Sequence, residues 1–433
     1  MTTQGIVLQR FSTSFFDVLS SPTAKTIYLI VLMLLVAALT VYILLALHAM
    51  RQTAEKGRSA EADTEKTALE PKTEQFPRFE MLRKIEEQQR EAEPIVYESR
   101  TLPEICTGFR DFAASQLGLY YELADIRRFV AGMGISRLMI LRGMSGTGKT
   151  SLAYAAGEYF GNASVVVPVQ PMWKERSDMI GYFNEFTKRF NETPLLCKLY
   201  EAGGNDAVYI VVLDEVNISR IEYYFAEFLS LLELPDAKKR MLPIVSDSRT
   251  DDPERLVDGR LQLPENVWFV GTANNDDSTF SISDKVYDRA AIMDLERKCT
   301  PFYAEKTLSA RLSYTALQQS FAEACRLYTL SEEGRTALAR VDAYLGEVFR
   351  ISFGNRIMRQ IESYVAIMQA CGGTENEALD DILARKILRK LEQQSPALLK
   401  NELPSFAAFL TQLFGEKALP QCSELLTRLK KNV

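Results

Sequence analysis

The chain has 433 residues, a formal net charge of −6, and a composition that is 47% hydrophobic and 25% charged. That length allows about two or three domains, and the acidic balance excludes a global basic field of the kind that draws a chain to nucleic acid. A single histidine, His48, and six scattered cysteines with no C-x-x-C pair exclude a zinc site and any mechanism built on a histidine base.

Residues 1–25 form a short mixed tail. From 27 to 47 run 21 residues without a charge, long enough to cross a hydrocarbon core of about 30 Å at roughly 1.5 Å per residue. Tyr28 and Tyr42 stand near the two ends of this run, as interfacial aromatics do. A cleaved signal peptide is the weaker reading, because the run is longer and starts later than a signal's apolar core. Residues 26–50 are therefore expected to be one transmembrane helix, with His48 a bystander at its end. Arg51, Lys56, Arg58 and Lys66 after the span outnumber Arg10 and Lys25 before it, which places the C-terminal side in the cytoplasm. Residues 51–95 read as a charged linker ending in a helix at 79–92, whose expected state is solvated.

The folded part is expected from residue 96. Two amphipathic segments, 103–116 and 120–133, lead into the apolar run Leu138-Met139-Ile140-Leu141. Next comes Gly143-Met144-Ser145-Gly146-Thr147-Gly148-Lys149-Thr150, followed by a helical pattern from Ser151. This is G-x-x-x-x-G-K-[ST] between a strand and a helix. The glycines turn backbone N–H groups inward and the helix N-terminus adds partial positive charge, which makes a phosphate cradle. Gly143, Ser145, Gly146, Thr147, Gly148, Lys149, Thr150 and Ser151 are the expected nucleotide-binding residues, with Lys149 on the β- and γ-phosphates and the Thr150 hydroxyl on Mg²⁺.

A second strand is expected at 163–169, then an insertion with its own turn across 170–202. The strand at 208–213 ends in Asp214-Glu215. A strand that delivers two carboxylates about 65 residues after such a loop suits Asp214 as the Mg²⁺ ligand and Glu215 as the base for an attacking water. A helix at 221–234 carries an aromatic stripe that reads as core. Segments 241–245 and 260–263 read as a hairpin across a solvated acidic loop, 247–258. The strand at 267–273 ends in Asn274, placed to position a water, and a helix near 283–290 ends in Arg289. A last strand is expected at 291–295. Strands alternating with helices give an α/β fold with a parallel sheet, its ligand at the carboxyl ends of the strands. After residue 301 the pattern is helical and reads as a separate lid packed on the α/β core.

The order of these parts resembles that of an AAA+ ATPase, and within that superfamily it is similar to the McrB, MoxR and dynein-related branch. The closer match rests on Val169-Gln170-Pro171-Met172-Trp173, Asp178-Met179-Ile180-Gly181-Tyr182, Leu213-Asp214-Glu215-Val216-Asn217-Ile218-Ser219-Arg220 and Phe353-Gly354-Asn355-Arg356. It covers roughly residues 100–370. The resemblance implies a P-loop core at 96–300 and an α-helical lid with further helices at 301–433. It also implies Asn274 as sensor 1, Arg289 as a finger completing a neighbouring subunit's site, and Arg356 as sensor 2. The bland alternative for Arg289 is an ion pair with Asp284 or Asp288. A homo-oligomeric ring follows, by default a hexamer, acting on a protein or nucleic-acid partner. Asn274-Asn275-Asp276-Asp277 departs from the Asn-Thr-Ala-Asp of the McrB motor, which tilts the nucleotide toward ATP over GTP. Two other readings stand beside the ring ATPase: a McrB-like GTP-driven motor serving a separately encoded nuclease, and a nucleotide-gated membrane scaffold with little hydrolysis.

Overall fold

The computed structural model describes residues 77–274 and 279–431, together with Met33, Thr40 and Val41, which are helical. The remainder of the expected membrane helix at 26–50, the tail before it, residues 51–76 and Asn275-Asp276-Asp277 lie outside the described residues. Among the described residues no helix is long and apolar enough to cross a membrane. The chain divides into one unit of residues 1–75 and a second of residues 76–433.

The second unit opens on α1 (Met81–Glu91), and here the expectation of a solvated linker helix is corrected. Phe79 and Leu82 are fully buried, in one cluster with Leu195 and Leu199 of a later helix. The Glu192 carboxylate accepts from the backbone N–H groups of Glu80, Met81 and Leu82 at 2.8, 2.9 and 2.8 Å, which satisfies helix-start donors and sets a negative charge at the positive end of the dipole. The acidic loop is also not merely solvated. Arg78, 1% exposed, donates to Asp252 at 2.6 and 2.5 Å and to Asp247 at 2.8 Å. A buried guanidinium needs such partners, and this one pins the loop to the start of the unit. Charge composition alone does not distinguish a side chain facing water from one paired with a residue 169 or 174 positions away.

Helices α2 (Leu102–Leu117) and α3 (Leu123–Ile135) precede the core. There follow β1 (Leu138–Gly143), α4 (Lys149–Tyr159), β2 (Val165–Pro168), α5 (Pro194–Ala202), β3 (Tyr209–Asp214), α6 (Ile221–Tyr224), α7 (Ala226–Leu232), β4 (Val267–Asn274), α8 (Asp284–Tyr287) and β5 (Ala291–Asp294). The five strands are parallel in the order β5-β1-β4-β3-β2. Their near-continuous apolar runs are what a sheet covered on both faces requires. Alternation then sorts them: Met139, Leu141, Ile210, Val212, Trp268 and Val270 join one cluster, while Leu138, Ile140, Tyr209, Val211, Leu213 and Phe269 join the other. The expected single helix at 221–234 is broken at Phe225, which stacks on Phe228 with ring centroids 4.9 Å apart.

Two antiparallel additions interrupt the α/β alternation. A short hairpin, Phe183–Asn184 with Arg189–Phe190, occupies the insertion before α5. The expected pairing of 241–245 with 260–263 is present as Met241–Pro243 against Arg260–Gln262, with Leu256–Val257 added as a third strand.

The C-terminal helices are α9 (Tyr314–Leu327), α10 (Glu332–Tyr344), α11 (Asn355–Ala370), α12 (Glu375–Ile382), α13 (Pro396–Phe414) and α14 (Pro420–Lys431). Between α12 and α13 runs an irregular helical stretch, a π turn at Leu383–Ile387 followed by a 3₁₀ turn at Leu388–Gln393. A helical lid packed on the α/β core was expected; Phe321, Ile361, Ile367 and Met368 share one continuous cluster with Phe129 and Met133 of α3. At Gly134 of α3 an added Cβ would come within 2.3 Å of Ile367 Cδ1, so α11 lies in contact with α3 there.

Candidate functional site

The loop after β1 is built by backbone conformations that favour glycine. Gly143, Gly146 and Gly148 have φ of +149°, +76° and +92°, and a Cβ at Gly143 would stand 2.2 Å from the Leu295 carbonyl oxygen. That carbonyl belongs to backbone and cannot swing away. Gly143→Ala is therefore expected to cost on the order of 1–3 kcal/mol, seen as a lower melting temperature together with loss of nucleotide binding.

Lys149 is 6% exposed, and its ammonium donates to the carbonyls of Gly143 at 3.0 Å and Met144 at 2.7 Å. It lies at the first position of α4, under the loop. Tyr121, which the sequence did not single out, packs its ring against Gly148 and donates its hydroxyl to the Gly148 carbonyl at 3.1 Å. Burial raises the pKa of this phenol, so it stays protonated and remains a donor at neutral pH.

Parallel pairing brings the expected residues together at the carboxyl ends of three adjacent strands. β4 lies between β1 and β3, and so Asn274 falls between the loop and the acidic pair. The Thr150 hydroxyl donates to Asp214 Oδ1 at 2.7 Å. Thr272 donates to the same oxygen at 2.7 Å and accepts from the Glu215 N–H at 2.9 Å. Asn274 Nδ2 donates to Glu215 Oε1 at 3.1 Å, and Asn217 ties the Asn274 carbonyl at 2.8 Å. Glu215 itself has φ +55°, a left-handed conformation rare for a residue with a side chain and costing on the order of 1 kcal/mol. Sequence reasoning missed Thr272. Its signal, a hydroxyl in an otherwise apolar strand two residues before Asn274, was available.

Beside the loop opens a cleft of about 500 Å³ lined by Glu122, Asp125, Arg128, the 294–299 segment, Gln421 and Glu424. Its floor includes Asp294, paired with Arg142 at 2.8 Å and Arg385 at 2.5 Å. Burial alone would raise this carboxyl, but the Arg385 and Arg142 guanidiniums outweigh it and hold the pKa at about 2.

Arg289 and Arg356 are not in this site. Arg289 precedes β5, and its carbonyl accepts from Ser136 at the start of β1. Both arginines line a cleft of about 310 Å³ at the amino ends of the strands, with Arg137, Glu233 and Gln360. One carboxylate holds both: Glu233 lies 2.6 Å from Arg289 and 2.5 Å from Arg356. The alternative partners considered for Arg289 are otherwise engaged, Asp284 by Arg389 at 2.7 Å and Asp288 by Lys390 at 3.1 Å. A six-residue β1 at roughly 3.3 Å per residue puts about 20 Å between this edge and the glycine loop.

Lys386 lies behind Arg289, buried, with its Nζ donating to the Ala290 carbonyl at 2.9 Å. Burial lowers its pKa from the ordinary 10.5 to about 7, opposed by Asp288 and reinforced by Lys390, Arg356 and Arg389. The folded value lies below the unfolded one, so between those two values the unfolded chain binds more protons and stability rises with pH. The gain from pH 6 to pH 8 should be about 1 kcal/mol. It should flatten in Lys386→Met, as followed by the fluorescence of Trp173 and Trp268. The only histidine, His48, lies outside the 76–433 unit.

A family described as a domain of unknown function, DUF8727, matches residues 307–433. No curated protein matches the chain. Among solved structures, the fold is similar to a "putative ATPase" from Cytophaga hutchinsonii at 14% identity and a TM-score of 0.46, covering 71% of this chain and 92% of that one. It is also similar to a full-length MCM homolog from Methanopyrus kandleri at 13% identity and a TM-score of 0.37, covering 68% of this chain and 63% of that one. Likenesses of this size leave the functional reading to the site itself.

Proposed function

We propose that the chain is a membrane-anchored AAA+ ATPase that hydrolyses ATP in a closed ring and uses the cycle to remodel or thread a partner macromolecule. The observation that carries this reading is the division of the site between two edges. Thr150, Asp214, Glu215 and Asn274 meet at the carboxyl ends of the strands, while Arg289 and Arg356 meet at the amino ends. Across about 20 Å the two arginines have no reach to their own chain's loop, yet they suit a neighbour's. A head-to-tail contact of that kind generates a ring when it closes.

Among the described residues no cluster of three or more His, Cys, Asp or Glu side chains could hold a metal ion alone. The Mg²⁺ of this reading would be held by Asp214 and the Thr150 hydroxyl together with phosphate oxygens, as magnesium prefers. The hydroxyl–carboxylate contact at 2.7 Å fits that role. When bound, the ion supplies charge neutralisation on the departing phosphates. Lys149 and the loop N–H groups would bind the β- and γ-phosphates, and the 500 Å³ cleft has the size to take the nucleoside. Glu215 would accept the proton of the attacking water, with Asn274 orienting both. Residues 26–50 would anchor the ring as a single pass with the ATPase unit in the cytoplasm, and deleting them should release the chain from membranes.

The test is steady-state hydrolysis of ATP and GTP by the full chain in detergent micelles with Mg²⁺, across protein concentration. Specific activity should rise with concentration and favour ATP. A GTP preference would move the chain to the McrB-like motor reading. Binding without turnover at any concentration would overturn the motor and leave the scaffold.

A further inference from the structure

Three basic side chains on the irregular stretch between α12 and α13 converge on the short segment that carries Arg289. Arg389 pairs with Asp284 at 2.7 Å and lies 3.8 Å from the centre of the Tyr287 ring. Lys390 pairs with Asp288 at 3.1 Å, and Lys386 donates to the Ala290 carbonyl at 2.9 Å. These contacts fall on both sides of Arg289 in sequence. Arg389 and Lys386 are almost fully buried and Lys390 largely so, so they are held in place and not loose surface pairs. α8 is only four residues long, too short to fix the direction of an arginine by its own hydrogen bonds. Ser136 and Glu233 hold Arg289 itself, while the three residues that brace the segment on either side of it come from the C-terminal region matched by the domain of unknown function. A π turn at Leu383–Ile387 changes the helical phase there, and such turns recur at functional sites.

We infer that Lys386, Arg389 and Lys390 are positioning residues for the arginine finger: the C-terminal domain sets the direction in which Arg289 is offered to the neighbouring subunit. The inference rests on the trans reading of Arg289 proposed above. It assigns the C-terminal domain a role in the neighbour's hydrolysis.

The test uses two full chains in detergent micelles. Arg289→Ala keeps its own catalytic groups and lacks the finger; Glu215→Gln keeps the finger and lacks the base. Each should be inactive alone. Mixed in equal amounts they should recover activity at roughly a quarter of all sites, because random order in a closed ring gives about half of the Arg289→Ala sites a finger-bearing neighbour. Lys386→Met, or separately the milder Lys390→Gln, is then added to one partner at a time. Placed on the Glu215→Gln chain, either change should lower the recovered rate by about tenfold to a hundredfold, the scale of a misplaced reacting group. Placed on the Arg289→Ala chain, it should leave the rate within about twofold, because that chain has no finger to position. Equal losses from both placements would mean that the contacts serve only the fold, and no loss from either would mean that they do not set the finger; both results overturn the inference. An inactive starting mixture overturns the trans reading itself, and the inference falls with it.

Discussion

Glu215→Gln is expected to bind ATP with the affinity of the native chain, within about twofold, and to hydrolyse it about 10²–10⁴-fold more slowly, the usual range for loss of a general base. The amide has the size and shape of the carboxylate, and its oxygen can still accept from Asn274, as Glu215 Oε1 does at 3.1 Å. The left-handed backbone at Glu215 is held by its N–H on Thr272 and does not depend on the side chain. What the variant loses is the carboxylate's charge and, with it, its proton affinity. Phosphate release measured beside equilibrium binding of a fluorescent ATP analogue separates the two effects. A rate within tenfold of the native chain would mean that the proton leaves by another route. Thr272→Val should give a different signature. It removes the hydroxyl that joins Asp214 to the Glu215 backbone, so the two carboxylates, the proposed metal holder and the proposed base, are both set loose. The apparent Mg²⁺ requirement should then rise along with the loss of rate, whereas Glu215→Gln should leave that requirement unchanged.

The parts of the site that were legible in the sequence are those carried on strand ends. A parallel strand buried on both faces has to be an unbroken apolar run, and the first polar residues after it must emerge at the carboxyl edge. This is why Gly143, Asp214 and Asn274 could be placed at one edge of the sheet from residue order alone. The strand order supplied what spacing could not, namely that β4 lies between the other two and puts Asn274 within reach of Glu215. Groups whose partners are distant in the chain left no such trace. Glu233 reads as one more surface acid at a helix end, yet it gathers Arg289 and Arg356. Arg78 and Glu192 read as linker and loop charges, yet they fix the start of the folded unit. Helical periodicity gave a helical lid packed on the core but not the helix it meets, since an apolar stripe does not by itself single out a face of α3.

Arg289→Ala is expected to lower turnover by about 10³–10⁵-fold, the contribution of an arginine finger in related phosphoryl-transfer sites, with ATP affinity little changed. The side chain stands about 20 Å from its own chain's loop by the length of β1, so the loss cannot come from the mutated chain's own nucleotide contacts. Arg289→Lys should rescue little, because an ammonium lacks the planar fork that meets two phosphate oxygens at once. Arg356→Ala tests how far the pair acts together. With both guanidiniums on one carboxylate, removing Arg356 leaves Glu233 to Arg289 alone and strengthens the pull that holds the finger back from a phosphate. Its effect on rate should therefore be partly relieved by Glu233→Gln, which frees Arg289 while keeping the packing of the side chain. The double-mutant cycle decides between two arrangements. Additive losses would mean that the arginines contact the neighbour's nucleotide independently. Relief in the double variant would mean that Glu233 competes with that nucleotide for the finger, and that assembly of the site includes the transfer of Arg289 from one anion to the other.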